Sequence, residues 1–103
     1  MTDVTPEQTA RVVTGLIMGM RAAIERMQAT LAESHLAPSP IQRRFRAIDK
    51  AESDVARGRA TAKTLLKKIE GTAGSLALRF RLEDAELRCQ QDIDAAKVRY
   101  LNQ

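Results

Sequence analysis

The chain has 103 residues, of which 44% are hydrophobic, and its 17 Lys and Arg exceed its 13 Asp and Glu to give a formal net charge of +4. This length suits one domain, and the hydrophobic content argues against wholesale disorder. Aromatic residues make up only 3% of the chain, which disfavours a β-sandwich. The apolar content comes mainly from Ala, Leu, Ile and Met, which are typical of helix-on-helix packing. We therefore expect residues 1–103 to form a single helical domain.

The sequence predicts neither a membrane span nor an export signal. The longest apolar run, Val12 to Met20, is flanked by arginines and is too short to cross a bilayer. Asp3 and Glu7 near the N-terminus do not resemble a secretory signal. Cys89 is the single cysteine, which favours a reducing compartment and leaves open an intermolecular bridge. We expect the chain to be cytoplasmic or to lie within a macromolecular assembly, without a cleavable signal peptide or transmembrane segment.

An unbroken heptad pattern organises the first third of the chain. Its hydrophobic residues alternate by three and four, at Ala10, Val13, Ile17, Met20, Ile24, Met27 and Leu31. This spacing predicts a helix that is buried along one seam. Thr5 can cap the helix, Pro6 fits its first position and Gln8 completes a capping box. We expect the first helix over about residues 6–34.

Two glycines lie within this predicted helix. Gly15 and Gly19 each cost about 1 kcal/mol relative to Ala in a helix. Their G-x-x-x-G spacing places both on one face, where the backbone of a second helix can approach closely. The alternative is that both are tolerated without a special role. Antiparallel packing of the first two helices would set the pair near residues 55–61.

Residues 35–39 form the clearest break in the chain. Pro38 and Pro40 cannot continue a helix, and each forces the residue before it into an extended conformation. Ser39 and Pro40 then repeat the capping signature. Because a short loop makes two helices antiparallel neighbours, we expect a second helix over about residues 40–70.

The second helix carries its own heptad row, which is thin in the middle. Its members are Ile48, Ala51, Val55, Gly58, Ala62, Leu65 and Ile69. The small residues at its centre allow a close approach of the first helix.

Residues 71–74 are a predicted break before a third helix, with Gly71 ending one helix and Ser75 capping the next; the alternative is one continuous helix. Hydrophobic residues alternate with polar ones from Leu76 to Leu82, as in a strand. A lone strand has no partner here, so we predict a helix over about residues 75–101.

The predicted fold is all-α, a long helical hairpin or three-helix bundle with coiled-coil-like heptad packing.

The positive charge is concentrated in the second helix. Residues 35–70 carry nine Lys and Arg against four Asp and Glu. Three arginines crowd the first turns, where the helix dipole disfavours positive charge, and three more basic residues follow at i, i+4 and i+8. These six candidate contacts for a polyanion are Arg43, Arg44, Arg46, Arg59, Lys63 and Lys67.

Two sources of compensating negative charge fit this pattern. Phosphates of a nucleic acid are one, because rows of Arg and Lys on a helix are a footprint of nucleic-acid binding. Carboxylates of the same chain are the other, since a hairpin would place residues 83–86 level with Arg57 and Arg59.

No catalytic, cofactor-binding or metal-binding residue is predicted. His35 is the single histidine, and it lies in the predicted loop without a partner that would make it a general base. Cys89 has no neighbouring base to lower its pKa, so we expect a buried thiol. The acidic clusters lack the pattern of a calcium loop, and one His with one Cys cannot build a zinc site. We expect no enzyme activity, no cofactor and no small-molecule substrate.

The functional expectation rests on helix packing. A small chain with few long helices buries proportionally little surface, so its remaining apolar faces favour self-association or docking on a protein partner. The leading hypothesis is a non-enzymatic interaction or assembly subunit, a structural or adaptor component of a complex such as a phage particle or secretion apparatus. The alternative is a small basic nucleic-acid-binding or inhibitor protein that acts through the basic face of the second helix. The residues expected to carry core or partner packing are Ile17, Met20, Ile24, Met27, Ile48, Val55, Leu65 and Ile69.

Overall fold

The computed structural model describes residues 5–36 and 41–101 of the chain. It contains three helices, α1 (Pro6–Leu36), α2 (Ile41–Lys68) and α3 (Ser75–Tyr100). The described ranges contain no strand, and the helices pack against one another as a three-helix bundle of 52 × 25 × 16 Å. The all-α prediction is confirmed, and of its two versions the structure adopts the three-helix bundle.

The start of α1 is held by a reciprocal capping box. The backbone N–H of Gln8 donates to Thr5 Oγ1 at 3.1 Å, and the backbone N–H of Thr5 donates to Gln8 Oε1 at 3.0 Å. These two bonds satisfy donors that have no partner within the helix. At its other end α1 continues to Leu36, two residues beyond the expected end. Residues 35 and 36 include no Pro or Gly, so their own sequence does not end the helix earlier. The second capping signature, at Ser39 and Pro40, lies outside the described residues.

The heptad seam of α1 forms the centre of the core. Its buried members are Val13, Ile17, Met20, Ile24, Met27 and Leu31, with Ala10 packed at the edge. The predicted row of the second helix is also buried, at Ile48, Ala51, Val55 and Ala62 of α2 and at Ile69, which lies just beyond the end of α2. Leu65 is only half-buried at the edge of the core, and Leu66 lies inside it. A straight helix drifts by about 20° per heptad relative to a 3.5-residue repeat, so the contact has moved to the next residue by the last turns of α2.

The glycines of α1 do not face α2, so of the two alternatives for Gly15 and Gly19 the close approach of a second helix does not occur within the bundle. Both are exposed, and a Cβ added at either would meet no atom within 4 Å. Each lies two residues from the seam residue Ile17, which turns it about 200° away from the core. The close approach occurs at Gly58 of α2 instead. A Cβ there would lie 3.1 Å from Met20 Cγ and 3.7 Å from the backbone oxygen of Leu16.

Residues 69–74 form the turn between α2 and α3. Gly71 and Gly74 adopt φ angles of 85° and 84°, which glycine tolerates without steric cost. Gly74, not Ser75, is the N-cap of α3, and it has no side chain to cap with. The hydroxyl of Ser75 donates to the backbone oxygen of Thr72 at 2.9 Å. The side chain of Ser75 therefore stabilises the turn, and the predicted cap at Ser75 is wrong because Ser75 is already the first residue of α3.

The strand-like alternation at the start of α3 separates into two helix faces. Leu78 and Leu82 point into the core, whereas Leu76 and Phe80 are exposed. The inward face continues along the helix and comprises Leu78, Leu82, Ala85, Cys89, Ile93 and Ala96. The helix is therefore apolar on two sides, and only one of them is used within the bundle.

Candidate interaction surfaces

The outward face of α3 carries a row of large hydrophobic side chains. Leu76, Phe80, Leu87 and Val98 are 61%, 59%, 58% and 65% exposed. At 100° per residue all four lie within an arc of about 40°, roughly opposite the buried face of the helix. We call these four residues the outer row. Half of the eight large hydrophobic residues that are exposed in the described ranges belong to it.

The outer row is straight and is bordered by charges of both signs. Leu76, Leu87 and Val98 are spaced by eleven residues, which is close to three whole helical turns, so the row runs along the helix axis for about 33 Å. Arg88 Nε and Asp84 Oδ2 form an ion pair at 3.1 Å beside Leu87. Glu83 and Asp94 are exposed on the same line, so the outer row is an apolar strip that two carboxylates interrupt, with an ion pair at its rim.

A groove of about 480 Å³ separates α2 from α3 on the side away from α1. Its apolar floor includes Val55 and Ile93, and Leu87 of the outer row forms part of its wall. Arg59 Nη1 of α2 donates to Glu86 Oε1 of α3 at 2.6 Å, and Lys97 Nζ lies 2.8 Å from Glu52 Oε1. These two pairs tie the walls of the groove together. The hydrogen bond to Glu52 is the main cause that raises the pKa of Lys97 above its ordinary value of 10.5.

We expect the pair between Arg59 and Glu86 to contribute less than about 1 kcal/mol to the free energy of unfolding, because both side chains are partly solvated. The measurement is a double-mutant cycle with Arg59→Met and Glu86→Gln, followed by urea unfolding. A coupling energy of several kcal/mol would contradict the partly solvated geometry.

A second apolar surface lies at one end of the bundle. Ile41 and Phe45 are exposed on the first turns of α2 and, together with Leu101, line a shallow pocket of about 460 Å³. Gln42 and Arg46 complete the lining. This surface is shorter than the outer row and adjoins residues 37–40, which are outside the described ranges.

The six basic residues of α2 do not form one continuous face. Arg44 is half-buried, with its guanidinium carbon 5.8 Å from the centroid of the Tyr100 ring, and Arg59 is paired with Glu86. Arg43 and Arg46 are exposed near the start of the helix. Twenty residues separate Arg43 from Lys63, which places them about 160° apart around the helix axis.

Lys63 and Lys67 form a separate basic group. Both are exposed and border a groove between α2 and α3 together with Arg79 and Glu83. Within the described residues neither lysine has an ion pair. One predicted source of negative charge, a carboxylate of the chain itself, is therefore present at Arg59. Lys63 and Lys67 remain exposed to solvent.

The eight residues expected to carry packing belong to the core of the chain itself. Seven are buried, and Leu65 is half-buried beside them. These buried residues are not accessible to a partner, whereas the residues of the outer row of α3 are exposed. This row is absent from the sequence-based predictions, although its eleven-residue spacing is a visible signal in the sequence. The alternation from Leu76 to Leu82 obscured it, because a period of two mixes the two faces of a helix.

The titratable groups form no recognisable chemical site in the part of the chain that is described. Cys89 is buried, and desolvation, the largest effect, raises the pKa of its thiol above the ordinary value of 9.0. A raised pKa disfavours the thiolate that a nucleophile or a metal ligand requires. Among the described residues, no three His, Cys, Asp or Glu side chains are placed to hold a metal ion. None of the three helices, over the described residues, has the length and hydropathy needed to cross a membrane.

Comparison with known proteins gave no match, whether with a protein family, a curated protein or a solved structure.

Proposed function

We propose that this chain is a non-enzymatic helical interaction subunit, a structural or adaptor component of a larger protein complex such as a phage particle or a secretion apparatus. The observation that carries the proposal is the outer row of α3, a line of large hydrophobic side chains on the face of a helix that its own bundle does not cover. A single exposed Leu needs no explanation, but an aligned set with a polar rim marks a surface that binds another protein.

The shape of the molecule supports the same proposal. The bundle measures 52 × 25 × 16 Å, so it is only two helix layers thick and has a large surface for its volume. An elongated bundle of this kind offers a long, straight helix face to a partner. Helices that dock lengthwise bury their apolar strips together, as in coiled coils and helical bundles.

The experiment is site-specific photo-crosslinking in cells that naturally make the chain. Benzoylphenylalanine replaces Phe80 of the outer row in one variant and Met18, which is 65% exposed on α1, in the matched control. We expect protein adducts from position 80 and far fewer from position 18, because only the first lies on the proposed surface. Absence of adducts at position 80, or equal labelling at both positions, would contradict the proposal.

A second candidate function, binding of nucleic acid or another polyanion, is favoured by one observation. Lys63, Lys67 and Arg79 border one groove, and the two lysines have no carboxylate in ion-pair range among the described residues. If phosphates occupy this groove, DNA affinity falls steeply with salt, and the double variant Lys63→Glu/Lys67→Glu abolishes binding. If assembly is the role, the same double variant leaves oligomeric state and partner binding nearly unchanged. Filter binding to DNA at two salt concentrations separates these results.

A further inference from the structure

We propose that the occupant of the outer row is a second copy of this chain, with two α3 helices packed antiparallel around a two-fold axis at Leu87. This inference rests on the proposed function and specifies the partner of the same surface. It follows from the spacing of the hydrophobic residues in the row, from the acidic residues on the same line and from the ion pair of opposite charges at its rim.

Three of the four residues of the outer row are spaced symmetrically about Leu87, whereas Phe80 has Asp94 at its symmetric position. Leu76 and Val98 each lie eleven residues from Leu87. In an antiparallel pair centred on Leu87, the two Leu87 side chains meet at the axis, and Leu76 of each copy meets Val98 of the other. An eleven-residue repeat keeps these contacts in line along a nearly straight helix, so all three apolar layers form together.

The acidic residues along the row determine the orientation. Glu83 and Asp94 lie on its line, and the carboxylate of Asp94 accepts a hydrogen bond from Gln90 Nε2 at 2.9 Å. In a parallel pair each of these carboxylates would face its own counterpart, and like charges in a contact seam are costly. In the antiparallel pair Glu83 faces Gln91 of the second copy and Asp94 faces Phe80, so no carboxylate faces a carboxylate.

The rim favours a second copy over an oppositely charged partner. Asp84 and Arg88 form an ion pair beside Leu87. Antiparallel packing places each Arg88 two residues along the axis from both the Asp84 and the Arg88 of the other copy, so the two ion pairs form one cluster with no net charge. A rim of a single sign would repel an identical rim, whereas a neutral cluster does not. The carboxylates within the row also disfavour an anionic membrane surface as the occupant.

The interface is small, and this sets the expected strength of binding. The outer row spans about 33 Å with three apolar layers, so we expect a buried area at the low end of specific interfaces, below about 600 Å² per partner. We therefore expect a reversible dimer with a dissociation constant in the micromolar range and a concentration-dependent mass.

Sedimentation velocity over a concentration series tests the surface. We expect the wild-type mass to rise from 11.4 kDa towards twice that value with increasing concentration. Leu87→Glu should weaken the dimer by about 100-fold or more, because both copies then bring a carboxylate to the axis. Met18→Glu, an equally drastic change at an exposed hydrophobic residue of α1, should dimerise like the wild type. Circular dichroism verifies that both variants keep their helices.

Cysteine cross-linking tests the orientation and does not depend on a destabilising charge. The wild type is the control, because its only thiol, Cys89, is buried. With a short bis-maleimide, Leu87→Cys should cross-link to itself. Leu76→Cys and Val98→Cys should cross-link in a one-to-one mixture but not singly, because identical positions at the ends lie about 33 Å apart in the antiparallel pair. Self-cross-linking of Leu76→Cys would overturn the antiparallel arrangement.

Different experimental outcomes would overturn the proposed dimer and the proposed function. A wild type that stays monomeric at every concentration, or a dimer that Leu87→Glu leaves intact, overturns self-pairing through α3. If photo-crosslinking at position 80 then captures a different protein, the proposed function stands with another partner. If position 80 captures nothing, both are overturned.

Discussion

Replacing Ile24 with Asp should unfold the chain at 25 °C. Ile24 is 3% exposed at the centre of the α1 seam. The change removes the apolar contacts of an Ile, which are worth about 2–3 kcal/mol, and buries a carboxylate without a partner, which costs several kcal/mol more. A small domain has only about 5–15 kcal/mol of stability in total. The measurement is far-ultraviolet circular dichroism with thermal unfolding, and we expect loss of the helical signal at 25 °C.

Met18→Asp is the matched control for this variant. Met18 lies on the same helix but is 65% exposed, so the substitution costs only helix propensity, a few tenths of a kcal/mol. A cooperative transition within a few degrees of the wild type is expected. If Ile24→Asp also unfolded near the wild-type temperature, the seam of α1 would not be the core of this fold.

Replacing both Gly15 and Gly19 with Ala should stabilise the chain by about 2 kcal/mol. Each Gly→Ala change in a helix gains about 1 kcal/mol, and at both positions the added methyl group meets no atom within 4 Å. For a domain of this size that gain raises the Tm by about 8–16 °C. Thermal unfolding should be recorded at one protein concentration, because self-association would make the Tm concentration-dependent.

Gly58→Ala is the contrast within the same molecule. It gains the same helix propensity, but its methyl group would lie 3.1 Å from Met20 Cγ in the close contact between α1 and α2. Repacking Met20 offsets the gain, so the single variant should stabilise less than Gly15→Ala or Gly19→Ala alone. An equal gain at all three positions would contradict the close approach at Gly58. A loss at Gly15 and Gly19 would indicate that another chain covers this face of α1.

Formation of the proposed dimer would change the measured stability of these variants. A second copy that docks on the outer row stabilises the folded state by mass action. The core variant at Ile24 acts through the fold and eliminates association with it. Leu87→Glu acts at the surface and should lower the Tm only at concentrations where the wild type is dimeric. Stability and association can thus be separated with one set of variants.

The long helices and their seams were predictable from the sequence because their causes are local. The heptad spacing around Ile17 and Ile24 specifies which side of α1 is apolar, whatever the partner helix is. Steric exclusion at Pro38, and the capping residues Thr5 and Gln8, act within one turn of chain. The register of α1 against α2 also followed from the short loop, since residues 16–20 lie opposite Gly58.

Three features depended on the tertiary arrangement instead. Helix periodicity turns Gly15 and Gly19 away from the seam of α1, but only the packing showed that no other helix of the bundle covers that side. Arg59 had several carboxylates within reach along the chain, and the rotation of α3 selected Glu86. The spacing of the outer row is present in the sequence, but only the packing of α3 decided that this face stays exposed and the other enters the core. The periodicity of the sequence shows which faces of a helix are apolar. Which of these faces stays uncovered depends on how many helices surround it, and the number and arrangement of those helices are properties of the assembled bundle.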